Sequence, residues 1–195
     1  MGSPALKLEK KWTYAEYATW DDGKRWEIID GEVYAMSPAP NLRHQRISRK
    51  ISAAFENFFK GKPCEPFEAP TDVVLDEYNV VQPDLLVVCD KSKLTAANVQ
   101  GAPDLVIEIL SPSTTVKDRR EKMALYERFG VREYLLIHPV DETVERFVLR
   151  DGRYGVPEVI GWSETLSFSL FPDLKLDLWE IFDREPPPAL NEGSD

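Results

Sequence analysis

Glu108 lies inside Leu105-Val-Ile-Glu-Ile-Leu110, a run whose other members all favour burial. An unpaired carboxylate in such a strand costs several kcal/mol or takes up a proton, so it needs compensation. Three arrangements supply it: a Lys or Arg reaching in from another element, exposure at a sheet edge, or a metal ion whose charge removes the penalty. Two aspartates are candidates to share such an ion. Asp104 lies on the same strand, ~13 Å away at ~3.3 Å per residue, which is too far for one cation. Asp84 opens a different apolar segment, Asp84-Leu-Leu-Val-Val88. Paired strands are only about 4.8 Å apart, so carboxylates on neighbouring strands can converge on a cation with ligand distances near 2.1 Å. An Asp after Pro is also a common turn or cap residue. The metal reading therefore rests on Asp84 and Glu108 together.

All-oxygen ligation points to Mg²⁺ or Mn²⁺. With only two histidines, His44 and His138, a His-rich zinc or iron site is disfavoured. Such an ion lowers the pKa of a bound water and stabilises charge on a phosphoryl group, which makes phosphodiester hydrolysis the natural chemistry. The chain contains no GxxxxGK[ST], HExxH or GxSxG pattern, so a P-loop enzyme, a zincin and an α/β-hydrolase are set aside. A formal charge of −10 argues against a protein that coats nucleic acid non-specifically, but it leaves room for a local basic cleft. Arg43, Arg46, Arg49 and Lys50 fall in one short segment, and the simpler reading of that cluster is a solvated helix face.

The elements that must position these residues follow from capping, turn and periodicity signals. Thr13-Tyr-Ala-Glu16 is a capping box that predicts a short helix to about Trp20, lying over the core. Arg25–Ile29 and Glu32–Met36 flank Asp30-Gly31, the signature of a two-residue hairpin. From Asn41, an N-cap, Leu42, Ile47, Ile51, Ala54, Phe55, Phe58 and Phe59 recur at helical spacing before Gly61, which predicts a long amphipathic helix. Thr71–Leu75, Asp84–Val88 and Leu105–Leu110 read as three strands of one sheet. Ser111-Pro-Ser-Thr-Thr opens a helix of about Val116–Phe129 that closes at Gly130, and Tyr134–Ile137 follows as a strand, an order that suggests a crossover. Val144–Leu149 and Tyr154–Val159 flank Asp151-Gly152 as a second hairpin, and Leu178–Phe182 forms a closing helical turn. Pro83-Asp84-Leu85 is echoed by Pro103-Asp104-Leu105, each beginning an apolar strand.

A length of 195 residues suits one domain, read as 11–183 with flexible tails at 1–10 and 184–195. The fold class is α/β (α+β). No apolar run approaches the ~20 residues of a membrane span, and no secretory signal is visible, so a soluble, cytoplasmic chain is expected. Cys64 and Cys89 lack CxxC spacing and read as reduced thiols.

The succession Gln82-Pro83-Asp84, Val106-Ile-Glu-Ile-Leu-Ser-Pro-Ser-Thr114, Asp118 to Lys122, Tyr126 and Gly130-Val-Arg-Glu-Tyr134 resembles the Uma-type "putative restriction endonuclease" family of the PD-(D/E)XK nuclease superfamily. Trp26-Glu-Ile-Ile-Asp-Gly-Glu32 and His44 match as well, so the resemblance spans most of Tyr14 to about Val148. It implies a restriction-endonuclease-like central mixed sheet flanked by helices, with Asp84 and Glu108 as ligands of Mg²⁺ (or Mn²⁺) and DNA as substrate. By analogy with nucleases that cut both strands, a homodimer is a further expectation. The superfamily places Lys two residues after the acid, where this chain has Leu110. Some relatives draw the lysine from the following helix, which makes Lys122 the matching candidate for a catalytic role beside Asp84 and Glu108. Its competing role is an i,i+4 surface pair with Asp118, worth a few tenths of a kcal/mol. Glu27 reads equally as a hairpin stabiliser, and a lone His44 on a helix as structural or exposed.

Two other functions compete with the metal-dependent endonuclease. One is a catalytically inactive interaction or DNA-binding module of the same fold, in which Leu110 marks lost chemistry. The other is a small phosphoester hydrolase, which a narrow pocket favours and a DNA-wide groove does not.

Overall fold

The computed structural model describes residues 10–36, 41–112 and 114–188. The first half of the chain forms α1 (Tyr14–Tyr17), β1 (Trp26–Ile29), β2 (Glu32–Ala35), α2 (Leu42–Phe59), β3 (Glu65–Glu68), β4 (Val73–Asp76), β5 (Asn79–Val81), β6 (Leu85–Val88) and β7 (Val99–Gln100). There follow β8 (Leu105–Ile109), α3 (Thr115–Lys117), one π-helical turn (Asp118–Lys122) and α4 (Met123–Phe129). The chain continues through β9 (Glu133–His138), β10 (Thr143–Arg150), β11 (Arg153–Tyr154), β12 (Glu158–Gly161), β13 (Thr165–Ser167), β14 (Lys175–Asp177) and α5 (Leu178–Ile181).

The local signals act as their chemistry requires. Thr13 and Glu16 form the capping box of α1, and Asn41 caps α2 by accepting the His44 amide. Asp30 and Gly31 both adopt positive φ, 52° and 82°, the conformation of a type I′ hairpin turn. A side chain at Gly31 would also strike Lys11, whose Cβ lies 2.7 Å from where the new carbon would stand. Gly130 ends α4 in the left-handed region at φ 82°.

Asp84 and Glu108 belong to the middle of a seven-stranded mixed sheet of order β11-β10-β9-β8-β6-β3, with β12 also paired to β10. β8 and β9 are parallel and are joined by the α3–α4 segment, the expected crossover. The central mixed sheet flanked by helices is thus as expected. One face carries α2, whose Ile47, Ile51, Phe55 and Phe59 pack on Leu85, Val87, Leu105 and Ile107. The other face carries α4, whose Leu125 and Tyr126 pack with Leu86, Val106 and Leu136.

Several expectations need correction. Val73–Asp76 does not share a sheet with β6 and β8. It turns back through Glu77-Tyr78 onto β5 and joins a second sheet, β2-β1-β5-β4-β7, because Ile28 of the first hairpin pairs with Val80. Leu42 is 68% exposed, and His44, 8% exposed, takes the inward position. Residue 42 stands about 140° around the helix from Ile47, whereas 44 continues the 47, 51, 55 stripe. The second arm of the Asp151-Gly152 hairpin breaks into β11 and β12 with a one-residue register shift on β10, a bulge at Gly155-Val156-Pro157. Cys64 and Cys89 are a disulfide with Cα atoms 3.9 Å apart, not free thiols. β3 and β6 pair antiparallel with Glu65 opposite Val88, so the next rung sets the two cysteines face to face.

The expected tails fall largely on residues 1–9 and 189–195, which lie outside the described residues, as does Ser113. Within the described part, Arg184 Nε is held 2.8 Å from Glu142. Among the described residues no helix is long and apolar enough to cross a membrane.

Candidate active site

The antiparallel register of β6 and β8 sets Leu85 opposite Ile107, so the next rung brings Asp84 opposite Glu108 on the same face of the sheet. Asp84 Oδ2 accepts the Ile109 amide at 2.7 Å and lies 3.1 Å from His44 Nε2 on α2. The sequence echo at Asp104 has the same origin. Asp104 Oδ2 accepts the Cys89 amide at 2.8 Å, the mirror of the Asp84 contact at the opposite end of the strand pair. Both aspartates tie β6 to β8, but at its own end Asp104 meets Arg132 at 3.4 Å, whereas Asp84 meets Glu108.

Glu108 is 3% exposed. Its Oε1 accepts Lys122 Nζ at 2.9 Å and the Tyr126 hydroxyl at 2.8 Å. A lysine reaching in from another element is therefore part of the compensation that the strand required. Lys122 Nζ also lies 2.7 Å from Glu27 Oε1, and only at 3.7 Å from Asp118 Oδ1. At 4% exposure it is no surface residue, and the i,i+4 surface pair is corrected accordingly. The π-helical turn carries Asp118 and Lys122 together into the interior; single π turns often occur at functional sites. Leu110, at the position where a lysine was expected, packs in the core with Leu125 and Tyr126. The ammonium thus comes from the helix side.

From the sequence Glu27 reads as a hairpin residue and His44 as structural or exposed; in the structure Glu27 is 1% exposed and joins Glu108 through Lys122, and His44 meets Asp84. Glu27 Oε1 accepts the Gln82 amide at 3.2 Å, and its Oε2 lies 3.2 Å from Lys117 Nζ. The signal for Glu27 was the one that exposed Glu108, an acid inside the apolar run Trp26-Glu-Ile-Ile29. The signal for His44 was its place three residues before Ile47 on the core stripe of α2.

The cluster holds more negative than positive charge. Glu27, Asp84, Glu108 and Asp118 supply four carboxyl groups against the two ammonium groups of Lys117 and Lys122. Burial pushes the Glu108 carboxyl well above the usual range; Lys122 opposes this, and Asp118, Asp84 and Glu27 add to it. Burial likewise raises Asp118. Burial also works against the Glu27 carboxylate, but Lys122 and Lys117 outweigh it and hold its pKa below the ordinary value. Lys122 is desolvated too, but Glu108, Glu27 and Asp118 keep it firmly protonated.

Asp84 and Glu108 open onto a cleft of about 1190 Å³. Of the basic cluster on α2, Arg49 lines this cleft, while Arg43 and Lys50 are engaged with Glu142 and Asp183 at 2.6 Å each. Arg25 and Lys117 also line it. The reading of that segment as a wholly solvated face therefore holds only in part.

A divalent cation suits this donor set. Among the described residues no hydrogen bond is made to Asp84 Oδ1 or to Glu108 Oε2, so each carboxylate keeps one oxygen that protein groups do not use. Among them, too, no three His, Cys, Asp or Glu side chains converge as a metal cage. Two hard carboxylates with the rest of the shell left to water and substrate is how Mg²⁺ is commonly held, and it is unlike a zinc cage.

A family model named Uma2 and described as "Putative restriction endonuclease" matches residues 14–178. The protein slr1290 of Synechocystis sp. is 31% identical over 140 residues, covering 70% of this chain and 73% of that protein. A second Synechocystis protein, sll1609, is 24% identical over 164 residues, covering 80% and 92%. The crystal structure of "a putative nuclease belonging to DUF820" from Anabaena variabilis superposes with a TM-score of 0.72 at 20% identity, covering 88% of this chain and 97% of that one. The fold is therefore nuclease-like, and the chain belongs to the Uma2 family.

Proposed function

We propose that the chain is a metal-dependent endonuclease that hydrolyses DNA phosphodiester bonds, with Asp84 and Glu108 as the ligands of Mg²⁺ or Mn²⁺ and Lys122 as the catalytic cation. The observation that carries this reading is the convergence of three features in one cleft. They are two register-opposed carboxylates, each with a spare oxygen, and a buried ammonium 2.9 Å from one of them. When bound, the ion lowers the pKa of a water and offsets charge on the phosphoryl oxygens.

The chain's own residues do the rest. The Ile109 amide and His44 fix Asp84 Oδ2, and Lys122 and Tyr126 fix Glu108 Oε1, so each carboxylate is held in a set orientation with its other oxygen left for a ligand. Glu27 and Glu108 take two of the three ammonium protons of Lys122. The third is available to orient the attacking water or a phosphoryl oxygen. Arg25 and Arg49, at the cleft wall, supply cations for the flanking phosphates.

A DNA cleavage assay with Mg²⁺ and Mn²⁺ tests the reading: wild type cuts, EDTA stops it, and Asp84→Asn is inactive while still folded. Equal cutting by purified Asp84→Asn protein would overturn it. A second reading is a small phosphoester hydrolase, since at about 1190 Å³ the cleft exceeds the roughly 300–1,000 Å³ typical of small-molecule pockets but is of the same order. Turnover of nucleotides without cleavage of DNA would select it.

A further inference from the structure

The cleft has two chemically different walls. Along α2, Gln45, Ser48, Arg49, Ser52 and Glu56 line it at helical spacing, a stripe of small polar groups with one cation. The facing wall is the inner side of the first hairpin. There Glu27 pairs with Tyr34 and Arg25 with Met36, and the alternation of a strand turns Arg25, Glu27, Tyr34 and Met36 to the same side. Tyr34 offers an aromatic ring, half-buried, with Lys117 Nζ 4.9 Å from its centroid. Asp84 and Glu108 lie at the base, and Glu108 is almost inaccessible from outside.

The section of the cleft limits what can reach that base. α2 rises ~16 Å between Gln45 and Glu56 at ~1.5 Å per residue. Spread over that length, the 1190 Å³ open to the centres of water molecules is a mean section of roughly 70 Å², which a water radius of about 1.4 Å all round widens to about 12 Å, close to the width of an α-helix. A duplex is much wider than an α-helix, since one of its grooves alone, about 12 Å wide, accommodates such a helix. A duplex also presents phosphates on its outside and keeps its bases stacked within, so it has nothing to offer an aromatic and apolar wall. An unpaired strand fits both walls at once, its phosphates toward Arg49, Arg25 and Lys117 and its bases against Tyr34 and Met36.

Resting on the nuclease reading above, we infer that the substrate enters this cleft as an unpaired DNA strand, so that the enzyme acts on single-stranded or locally opened DNA. Lys117 and Tyr34 are specificity-determining residues in this scheme, and the acids at the base are reached by one strand only.

The test uses the full chain and a fluorescently labelled oligonucleotide, single-stranded or annealed to its complement. Anisotropy titrations in EDTA report binding without cleavage, and cleavage of the same substrates is then followed with Mg²⁺ or Mn²⁺. The single strand should bind at least tenfold more tightly than the duplex and be cut faster. With three phosphate-facing cations the slope of log affinity against log salt should be about −2, a loss of roughly 15-fold from 50 to 200 mM, and Arg49→Ala should flatten it by about 0.7. Tyr34→Ala should weaken strand binding by roughly five- to a hundredfold, and Tyr34→Phe should restore it. Equal or tighter binding and cutting of the duplex would overturn this inference and leave the nuclease reading standing. Strand binding that ignores Tyr34→Ala would also overturn it. Failure to bind or cut either form, with protein shown to be folded, would take down both.

Discussion

Replacing Lys122 by Met keeps most of the aliphatic stem and removes the ammonium, and the structure sets how much that should cost. If Lys122 made only a surface pair with Asp118, the loss would be about 0.3–0.5 kcal/mol. Instead its Nζ stands 2.7 and 2.9 Å from Glu27 and Glu108, with all three side chains at 5% exposure or less. Removing one partner of a buried pair leaves an uncompensated charge and typically costs about 3–5 kcal/mol. For a chain of 195 residues that corresponds to a fall in Tm of about 6–20 °C. The deficit should also depend on pH. In wild type the two lysines hold Glu27 below its ordinary value near 4.5. In the variant burial is no longer outweighed, and the folded-state pKa rises above the unfolded one. A group so raised favours the folded state below the unfolded pKa, and that contribution is lost as pH rises through the folded pKa. The variant's deficit should therefore be largest at neutral pH and shrink toward about pH 4.5. Urea unfolding in EDTA across this range is the assay. A loss below about 1 kcal/mol at pH 7, or one independent of pH, would refute the buried-cation account.

Three further outcomes follow from individual contacts. Tyr126→Phe removes the hydroxyl that donates to Glu108 Oε1 at 2.8 Å and should cost about 1–3 kcal/mol in denaturant unfolding, with reduced Mg²⁺ affinity. Gly31→Ala should destabilise by more than about 1 kcal/mol, because φ is 82° and Lys11 occupies the space of the new methyl; a Tm unchanged within error would contradict the packing described. Reduction of the Cys64–Cys89 bond, which spans 25 residues, should lower stability by about 3 kcal/mol, and thiol titration of the oxidised, unfolded chain should find no free cysteine.

The most informative sequence signal was an acid out of place. Glu108 and Asp84 were identified because an apolar strand cannot hold a carboxylate without compensation, and the register of β6 and β8 brings the two together. The same argument applied to Glu27 and was weakened by its neighbour, the Asp30-Gly31 turn, which supplied a sufficient local role. Lys122 could be proposed only from the family resemblance, since its reach depends on a π-helical turn that no spacing rule announces. The split into two sheets was not legible, because β4 and β5 are short and buried along nearly their whole length without alternation, so nothing in their pattern tells which neighbour they pair with. The disulfide depended on the pairing of β3 with β6, and β3, Glu65-Pro-Phe-Glu68, carries a Pro and two acids that hide its strand character.

The most direct test of the central claim is calorimetric titration of Mg²⁺ and Mn²⁺ into wild type and into an Asp84→Ala/Glu108→Ala double variant, with DNA cleavage followed on the same samples. The account predicts binding and cleavage in wild type and the loss of both in the variant. Binding retained by the double variant, or cleavage by wild type that ignores the removal of divalent metal, would contradict it.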